Sequence, residues 1–458
     1  MNTAAENFAA AEARQSPDRD AEPVATPAEQ WLARLLVAAS FIFCFLPADF
    51  SWTHNEADFD FTAGSLATQV EFGSIFLLGA WLAWRHPQWT LLRLRTTNLF
   101  LVVFVAWCLL STTWSGYPVV SLKRASQLAG FFIVGLAISP PVGGSRQLLQ
   151  VLMATLTVLL VISVGVVAVN PTVGIDRELG NAWRGMFMQK NTTGAAAAIC
   201  ALLWLREWVN PRLLPRSVCS AALLFCLFML VMAKSSTSLL VFGVGSASYL
   251  LLRRQYITLR MPWWVMALVL VAVVGLAVHV FYVFSGRLPG WDDIAGTIGR
   301  AVGKDADFTG RTDIWQLVLL DVQRHVMLGT GYGAFWLGVD GPAQYVAQAL
   351  YWIPLQSHNG YLDILNELGV VGLVLAFCVF VRHAMLLGRL MAADREEASM
   401  HAAFFVILLV SNVTESEVFR GFLFYNILFF YSAASVASQV ALSRLLPVDT
   451  TMRAEVKP

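Results

Sequence analysis

The sequence predicts an all-α polytopic membrane protein with about twelve transmembrane helices and one large outer loop between helices 9 and 10. Of the 458 residues, 57% are hydrophobic and only 13% are charged, whereas soluble chains average about 25% charged. The mean hydropathy is +0.63. The apolar residues are gathered into stretches that can cross about 30 Å of hydrocarbon, for which a helix needs roughly 20 residues. These observations exclude a typical soluble multidomain protein.

Twelve apolar stretches reach this length, or fall short of it by a few residues that flanking side chains can compensate. Their approximate limits are 31–48, 65–84, 98–115, 125–142, 148–168, 192–209, 218–233, 236–252, 262–284, 359–381, 398–413 and 420–441. The chain then divides into an N-terminal tail over 1–30, helices 1–9 over 31–284, the outer loop over 285–357, helices 10–12 over 358–441, and a C-terminal tail over 442–458. The N-terminal tail is acidic and lacks the basic start of a secretory signal, so we expect it to be disordered and uncleaved.

The basic residues orient these helices, because Lys and Arg in short loops stay on the cytoplasmic side. One alternating set of loops, with both termini, carries nineteen of the 31 basic residues and is predicted to be cytoplasmic. Some of the others are ordinary loop charges, but arginines placed outside against this bias are typical of a site for an anionic ligand. The twelve outward residues are Lys123, Arg124, Arg177, Arg184, Lys190, Lys234, Arg287, Arg300, Lys304, Arg311, Arg324 and Arg420.

Composition excludes several other classes of protein. A formal charge of +1 excludes a strongly basic nucleic-acid-binding protein. The six cysteines lie in apolar runs, where they behave as small hydrophobic residues and not as a disulfide or metal framework. Three Asp-x-Asp strings occur in unrelated contexts, so we attribute them to chance and predict no metal site and no cofactor.

A polar segment over 183–194 lies between the fifth and sixth predicted helices. Within it, Arg184, Lys190 and Asn191 can converge on phosphate oxygens at the positive N-terminal end of the sixth helix. The alternative is a plain start of a helix, with cations that reach the interface and a Thr cap. The residues alone leave both interpretations open.

The long outer loop contains Arg287, the pair Gly310-Arg311 and the glycine-rich stretch 329–336 with Tyr332. Its many aromatic side chains suit the apolar faces of sugars and packing at the lipid interface equally well. For the glycines, a plain turn is the alternative to a binding loop.

His358 stands at the start of the tenth predicted helix and is followed by Asn359, Asp363 and Glu367. A neutral imidazole at that position can accept a hydroxyl proton near pH 7, and the alternative is a solvated interface histidine. Asp363 and Glu367 are four residues apart and share a helix face. For this pair we expect hydrogen bonds between helices in preference to acid/base catalysis.

Taken together, these segments resemble the bacterial O-antigen ligase and Wzy-type polysaccharide polymerase superfamily. The resemblance covers most of the membrane portion. It rests on 183–194, Gly310-Arg311, 329–336 and 357–372, with support from 113–115 and Lys123-Arg124. One departure is Gln189, where exopolysaccharide-polymerase relatives often have His before Lys-Asn.

The resemblance implies metal-independent, inverting glycosyl transfer from an undecaprenyl-diphosphate-linked glycan on the periplasmic face of the bacterial inner membrane. It also implies twelve spans, a large periplasmic loop before the motif histidine, and no metal or other cofactor, while the loop charges place both termini in the cytoplasm. The partners we expect are the lipid-linked oligosaccharide, an acceptor glycan or the lipid A core, and membrane lipid, with no nucleic acid.

In this scheme the arginines clamp the lipid diphosphate and stabilise the charge that develops on it. His358 orients or deprotonates the acceptor hydroxyl. The predicted catalytic residues are His358, Arg311 and Arg287. The predicted substrate-binding residues are Arg184, Lys190, Asn191, Arg124, Tyr332 and Asn359.

The sequence alone leaves four functions open. A polymerase adds the glycan to another lipid-linked repeat and a ligase adds it to the lipid A core, and the shared motifs do not separate the two, although Lys190-Asn191 favours the polymerase. A flippase or transporter for lipid-linked oligosaccharides would place polar residues near the midplane of two related halves. A noncatalytic scaffold would need neither the arginines nor the histidine.

Overall fold

The computed structural model describes residues 25–46, 65–140, 146–177, 179–254 and 309–445. Fourteen α-helices of seven or more residues are described, together with a four-residue helix (Pro171–Gly174), two 3-10 turns (Ser111–Thr113 and Gly338–Asp340) and a two-stranded hairpin, β1 (Ile175–Asp176) and β2 (Ala182–Trp183). The helices are α1 (Pro27–Phe45), α2 (Leu66–Arg85), α3 (Pro87–Thr96), α4 (Leu99–Leu110), α5 (Pro118–Ile138), α6 (Gln147–Val169), α7 (Lys190–Val209), α8 (Arg216–Met232), α9 (Ser236–Arg253), α10 (Thr309–Arg324), α11 (Gln344–Leu350), α12 (Gly360–Ala393), α13 (Arg395–Thr414) and α14 (Phe424–Leu445).

Seven of the described helices are long and apolar enough to cross a membrane, and there are eight if α3 and the α4 segment, bent by 95°, form one span. The helices overlap eleven of the twelve predicted stretches, and the ninth, 262–284, lies outside the described residues. The architecture is therefore mostly helical, as an all-α polytopic membrane protein requires. The count of twelve spans and the position of the outer loop remain predictions.

Small residues bring the helices close together. A Cβ atom at Gly130 of α5 would overlap the ring of Phe76 in α2, and one at Gly79 of α2 would overlap the side chain of Val134 in α5. Close approach of this kind increases van der Waals contact, which drives helix association where lipid removes the hydrophobic contribution.

Ion pairs to the start of α13 define one end of the bundle. Arg206 Nη2 lies 2.6 Å from Glu397 Oε2, and Arg253 Nε lies 2.8 Å from Glu396 Oε2. Both arginines belong to the last turns of α7 and α9. A cavity of about 260 Å³ opens beside them, lined by residues of α6, α7, the following loop and α13.

The opposite end is formed by the first residues of α7, α9, α12 and α14 and by the last residues of α13, and we call it the His358 end. Its assignment follows from chain direction, because α7 and α9 both end beside the first turn of α13 and therefore begin beside its last turn. The described residues of the candidate active site lie at this end.

A kink in α12 creates a docking place for the glycine-rich loop. Gly369 has φ 67° and ψ −170° inside the helix, a conformation that L side chains rarely adopt. The carbonyls of Asn366 and Glu367 instead accept hydrogen bonds from the main-chain N–H groups of residues 330–331, at 3.1 and 2.9 Å. Gly329, with φ 70°, is required as well, because a Cβ there would overlap the main chain of Glu367. The loop is thus joined to α12 through the backbone.

Candidate active site

The N-terminus of α12 fixes the position of His358. Asn359 is the N-cap residue, and its side-chain oxygen accepts from the N–H groups of Tyr361 and Leu362 at 3.1 and 3.2 Å, which satisfies two of the four donors that a helix start leaves unpaired. His358 precedes the cap with φ 54°, an uncommon conformation for a residue with a side chain. Gly360 follows the cap residue, and a Cβ at Gly360 would overlap the side chain of Asn412. The backbone on both sides of His358 is therefore constrained.

Glu415, at the end of α13, connects His358 to Arg311. Its Oε2 lies 2.8 Å from His358 Nδ1, and its Oε1 lies 3.2 Å from Arg311 Nη2. Gln356 completes the group, because its Nε2 donates to Glu415 Oε2 at 2.9 Å while its Oε1 accepts from the main-chain N–H of Ser416 at 3.1 Å. The Ser416 bond fixes the orientation of the Gln356 amide. We call Gln356, His358, Glu415 and Arg311 the His358 cluster.

The contact with Glu415 selects one tautomer of His358. An ionised carboxylate only accepts hydrogen bonds, so Nδ1 carries the hydrogen. Within the described ranges, no hydrogen bond uses Nε2 of His358. The side chain is 27% exposed. The partly exposed imidazole therefore keeps its proton-accepting nitrogen Nε2 out of the hydrogen bonds recorded for the described residues, as a general base requires.

Asp363, one turn into α12, ties the segments around the cluster together. The carboxylate accepts from Trp336 Nε1 at 2.9 Å and from Arg420 Nη1 at 2.6 Å. It also accepts from the main-chain N–H of Ser357 at 3.3 Å and from the hydroxyl of Ser416. Ser357 and Ser416 are the immediate neighbours of His358 and Glu415 along the chain, so Asp363 holds both members of that pair in place. The expectation for this carboxylate was hydrogen bonds between helices, whereas its recorded partners lie in the connecting segments before α12 and after α13.

Glu367 and Tyr332 support the glycine-rich loop from within. Glu367 Oε2 accepts from the main-chain N–H of Gly333 at 2.8 Å, and Arg124 donates to the carbonyl of Gly333. Tyr332 is only 3% exposed and donates its hydroxyl hydrogen to the carbonyl of Phe419 at 2.7 Å, and burial raises its pKa well above the usual range. Tyr332 and Arg124, both predicted to bind substrate, are therefore engaged in packing the loop.

The predicted binding segment 183–194 also lies at the His358 end but forms a separate unit. Arg184 Nε donates to the carbonyl of Val173 at 2.6 Å, and its own carbonyl accepts from the Thr193 hydroxyl at 2.6 Å. Lys190 is the first residue of α7, and Asn191 is exposed on its first turn. In the part of the chain that is described, no hydrogen bond or ion pair connects Arg184 to His358.

Of the nine predicted site residues, the structure brings His358, Arg311 and Asn359 into one group. Arg287 lies outside the described residues. Among the residues that are described, no group of three or more His, Cys, Asp or Glu side chains could hold a metal ion.

Sequence reasoning missed Glu415 and Gln356 and gave no role to Arg420. A signal was present: Glu415 and Glu417 stand in a short segment between two apolar stretches, where acidic residues are uncommon without a partner. Spacing could not identify that partner, because His358 is 57 residues away in the chain.

Comparisons with known proteins agree with the motifs. The family profile described as O-Antigen ligase matches residues 221–377, which include Arg311, His358 and Asn359. The chain is similar to the exopolysaccharide production protein ExoQ of Rhizobium meliloti (strain 1021), at 26% identity over 318 residues, covering 66% of this chain and 68% of that protein. It is also similar to a putative polysaccharide ligase of Rickettsia felis, at 24% identity over 336 residues, covering 69% of this chain and 77% of the relative. The resemblance drawn from the motifs is confirmed.

Proposed function

We propose that this protein is a glycosyltransferase that acts at the periplasmic face of the membrane. The proposal starts from the resemblance of the chain to the O-antigen ligase and Wzy-type polysaccharide polymerase superfamily. The protein acts on an undecaprenyl-diphosphate-linked glycan and polymerises repeat units of an exopolysaccharide or O-antigen. The observation that carries this proposal is His358, whose Nδ1 is held by Glu415 at 2.8 Å beside Arg311, so that Nε2 is available to a hydroxyl group.

The reaction requires a base and a site for a leaving anion. The acceptor hydroxyl oxygen attacks C1 of the donor sugar from the face opposite the diphosphate, and its proton passes to Nε2 of His358. The bond between C1 and the phosphate oxygen breaks, its electron pair leaves with undecaprenyl diphosphate, and the configuration at C1 is inverted. Arg311, together with Arg287 and Arg184, stabilises the developing charge by charge-assisted hydrogen bonds. Guanidinium groups are adequate for this task because a diphosphate is already a good leaving group.

The proposed topology is twelve spans in the inner membrane, with both termini in the cytoplasm and the His358 end in the periplasm. Two observations support it. Arg206 and Arg253, from loops that the positive-inside rule assigns to the cytoplasm, lie together at the end remote from His358. Arg311, which the sequence predicts to lie in the outer loop 285–357, contacts Glu415 of the His358 cluster.

A ligase that transfers the glycan to the lipid A core is the second candidate, and the similarity to a putative polysaccharide ligase favours it. The same cluster would serve either reaction, because only the acceptor differs. A flippase or transporter is less well supported, since the described His, Glu and Arg groups of the cluster gather at the ends of helices, whereas transporters bind near the midplane.

The proposal is tested by turnover of a lipid-linked repeat unit by the purified full-length chain in the presence of EDTA. His358→Ala and Arg311→Ala are each expected to lower kcat on the order of 10²-fold. His325→Ala is the matched control, because the His325 side chain is 48% exposed and, among the contacts described, pairs only with Asp321 in the last turn of α10. Wild-type turnover retained by the His358 and Arg311 variants would overturn the assignment, as would loss of activity on addition of EDTA.

A further inference from the structure

Glu415 has two partners whose tasks differ under the proposed function. Its Oε2 accepts from His358 Nδ1 at 2.8 Å and from Gln356 Nε2 at 2.9 Å. Its Oε1 accepts from Arg311 Nη2 at 3.2 Å. His358 is assigned to the acceptor hydroxyl and Arg311 to the donor diphosphate. One carboxylate therefore contacts the groups that handle both substrates.

The contact with Arg311 is the weaker of the two. It is a single hydrogen bond of 3.2 Å between side chains that are 26% and 14% exposed, and partly exposed ion pairs of this kind contribute little. The contact with His358 is shorter and is reinforced by Gln356, whose amide is held in turn by Ser416. Glu415 can therefore release Arg311 without releasing His358.

A nearby ion pair shows the opposite behaviour. Asp363 binds Arg420 at 2.6 Å with its carboxylate only 3% exposed, and three further donors, from Trp336, Ser357 and Ser416, hold that carboxylate. This pair is fixed. Of these two ion pairs, the one between Glu415 and Arg311 is therefore expected to exchange partners.

A diphosphate presents the same kind of oxygen to a guanidinium as a carboxylate does, with more charge. We propose that Glu415 holds Arg311 in the donor-free protein, and that the lipid diphosphate of the donor takes Arg311 away while Glu415 keeps His358. The inference rests on the proposed function and adds Glu415 as a positioning residue for the base.

Donor binding would then prepare the base. While Arg311 contacts Glu415, the positive guanidinium weakens the attraction between the carboxylate and the Nδ1–H of His358. After Arg311 has moved to the diphosphate, the whole negative charge of Glu415 faces His358, which favours the form of the ring that has accepted a proton at Nε2. The hydroxyl proton still goes to Nε2 and the electron pair of the C1–O bond still leaves with the diphosphate. The base becomes effective only when a donor is present.

The test is Glu415→Gln in the full-length chain, with undecaprenyl diphosphate as the binding probe and a lipid-linked repeat unit as the substrate. The variant is expected to bind undecaprenyl diphosphate about threefold more tightly, because a competitor of the size of a partly exposed ion pair has been removed. Its kcat is expected to fall on the order of 10²-fold, because His358 has lost its orienting anion. A merely structural role of Glu415 would weaken binding and turnover together. Glu415→Asp, which keeps the charge, is expected to recover about tenfold of the lost rate.

Glu417→Gln is the matched control, because Glu417 lies two residues on and its main-chain N–H, not its side chain, makes the recorded contact with Asn412 at 3.0 Å. Burial raises the pKa of Glu417 to about 8, so at pH 7 a neutral Gln resembles the native side chain. This variant is expected to bind and turn over as the wild type does.

Undecaprenyl diphosphate binding that is unchanged or weaker in Glu415→Gln would overturn the inference. If Glu415→Gln does not fold, Glu415→Asp replaces it in the binding measurement, because a side chain shorter by one methylene cannot span both His358 and Arg311. Weaker binding of undecaprenyl diphosphate by Glu415→Asp would contradict the inference equally. Failure of the wild type to extend the lipid-linked repeat would instead contradict the proposed function, so the two failures are distinguishable.

Discussion

Replacing Asp363 by Asn removes one charge from the middle of the His358 end at nearly constant volume. The group that suffers most is Arg420, whose guanidinium lies 2.6 Å from Asp363 Oδ2 in a pair with exposures of 19% and 3%. Removing one partner of a buried pair costs about 3–5 kcal/mol, because the remaining charge is left uncompensated. The partial exposure of Arg420 and its second contact, to the carbonyl of Leu355 at 3.4 Å, place the value at the lower limit, about 3 kcal/mol.

The assay is reversible unfolding of the purified chain in a single detergent, followed by intrinsic fluorescence. Asp313→Asn is the control, because Asp313 is exposed on α10, and it is expected to change the free energy of unfolding by less than about 0.5 kcal/mol. The double variant Asp363→Asn/Arg420→Gln is expected to recover about 1 kcal/mol or more, since neither charge is then left alone. A loss below about 0.5 kcal/mol for Asp363→Asn would refute the assignment of Asp363 as the residue that ties these segments together.

Three further outcomes are expected. Gly333→Ala should lower the unfolding temperature and the turnover rate, because φ of Gly333 is 66° and a Cβ there would overlap Arg124. The expected loss of folding free energy is about 1–3 kcal/mol, and unfolding and turnover at wild-type values would contradict the loop geometry. Glu397→Gln removes the shorter of two carboxylate contacts of Arg206, at 2.6 Å, and leaves the one to Glu396 at 3.6 Å. It should destabilise the chain by about 2 kcal/mol while kcat per folded molecule is unchanged, and a loss of kcat would contradict the separation of the two ends. Burial raises the pKa of Glu417 from 4.5 to about 8, so between these pH values the folded state holds a proton that the unfolded state has lost, and stability should fall as pH rises through that window. A thermal unfolding series from about pH 5 to pH 9 checks this, and Glu417→Gln should flatten the slope.

Much of the helical fold follows from hydropathy, because each span must satisfy its own backbone in lipid and therefore forms a helix wherever the apolar run is long enough. Arg206 and Arg253 were both assigned to one side by their loops, and they do lie together, beside the first turn of α13. The break in α12 could not be obtained in this way. It depends on Gly369 together with the glycine-rich loop that takes over the hydrogen bonds of the broken turn.

The candidate site was predictable only where a local motif carries it. His358, Asn359 and Arg311 were predicted because they stand in the motifs that carry the family resemblance, since position at a helix start or in the outer loop alone left their roles open. Glu415 lies 104 residues from Arg311 along the chain, and only the tertiary fold brings the two together. The expectation that Tyr332 would face a sugar followed from residue type, whereas the loop turns its side chain inward to Phe419.

The proposed polymerase activity is tested most directly by analysing the product of the purified chain in liposomes. The substrate is a lipid-linked repeat unit of defined anomeric configuration, given first alone and then with added lipid A core. We predict longer lipid-linked chains from the repeat unit alone, with the anomeric configuration of the new linkage inverted relative to the donor and with EDTA present. Product formed only after the lipid A core is added would identify the ligase. Movement of the repeat unit across the bilayer without a new glycosidic bond, or a linkage of retained configuration, would contradict the proposed inverting glycosyltransferase.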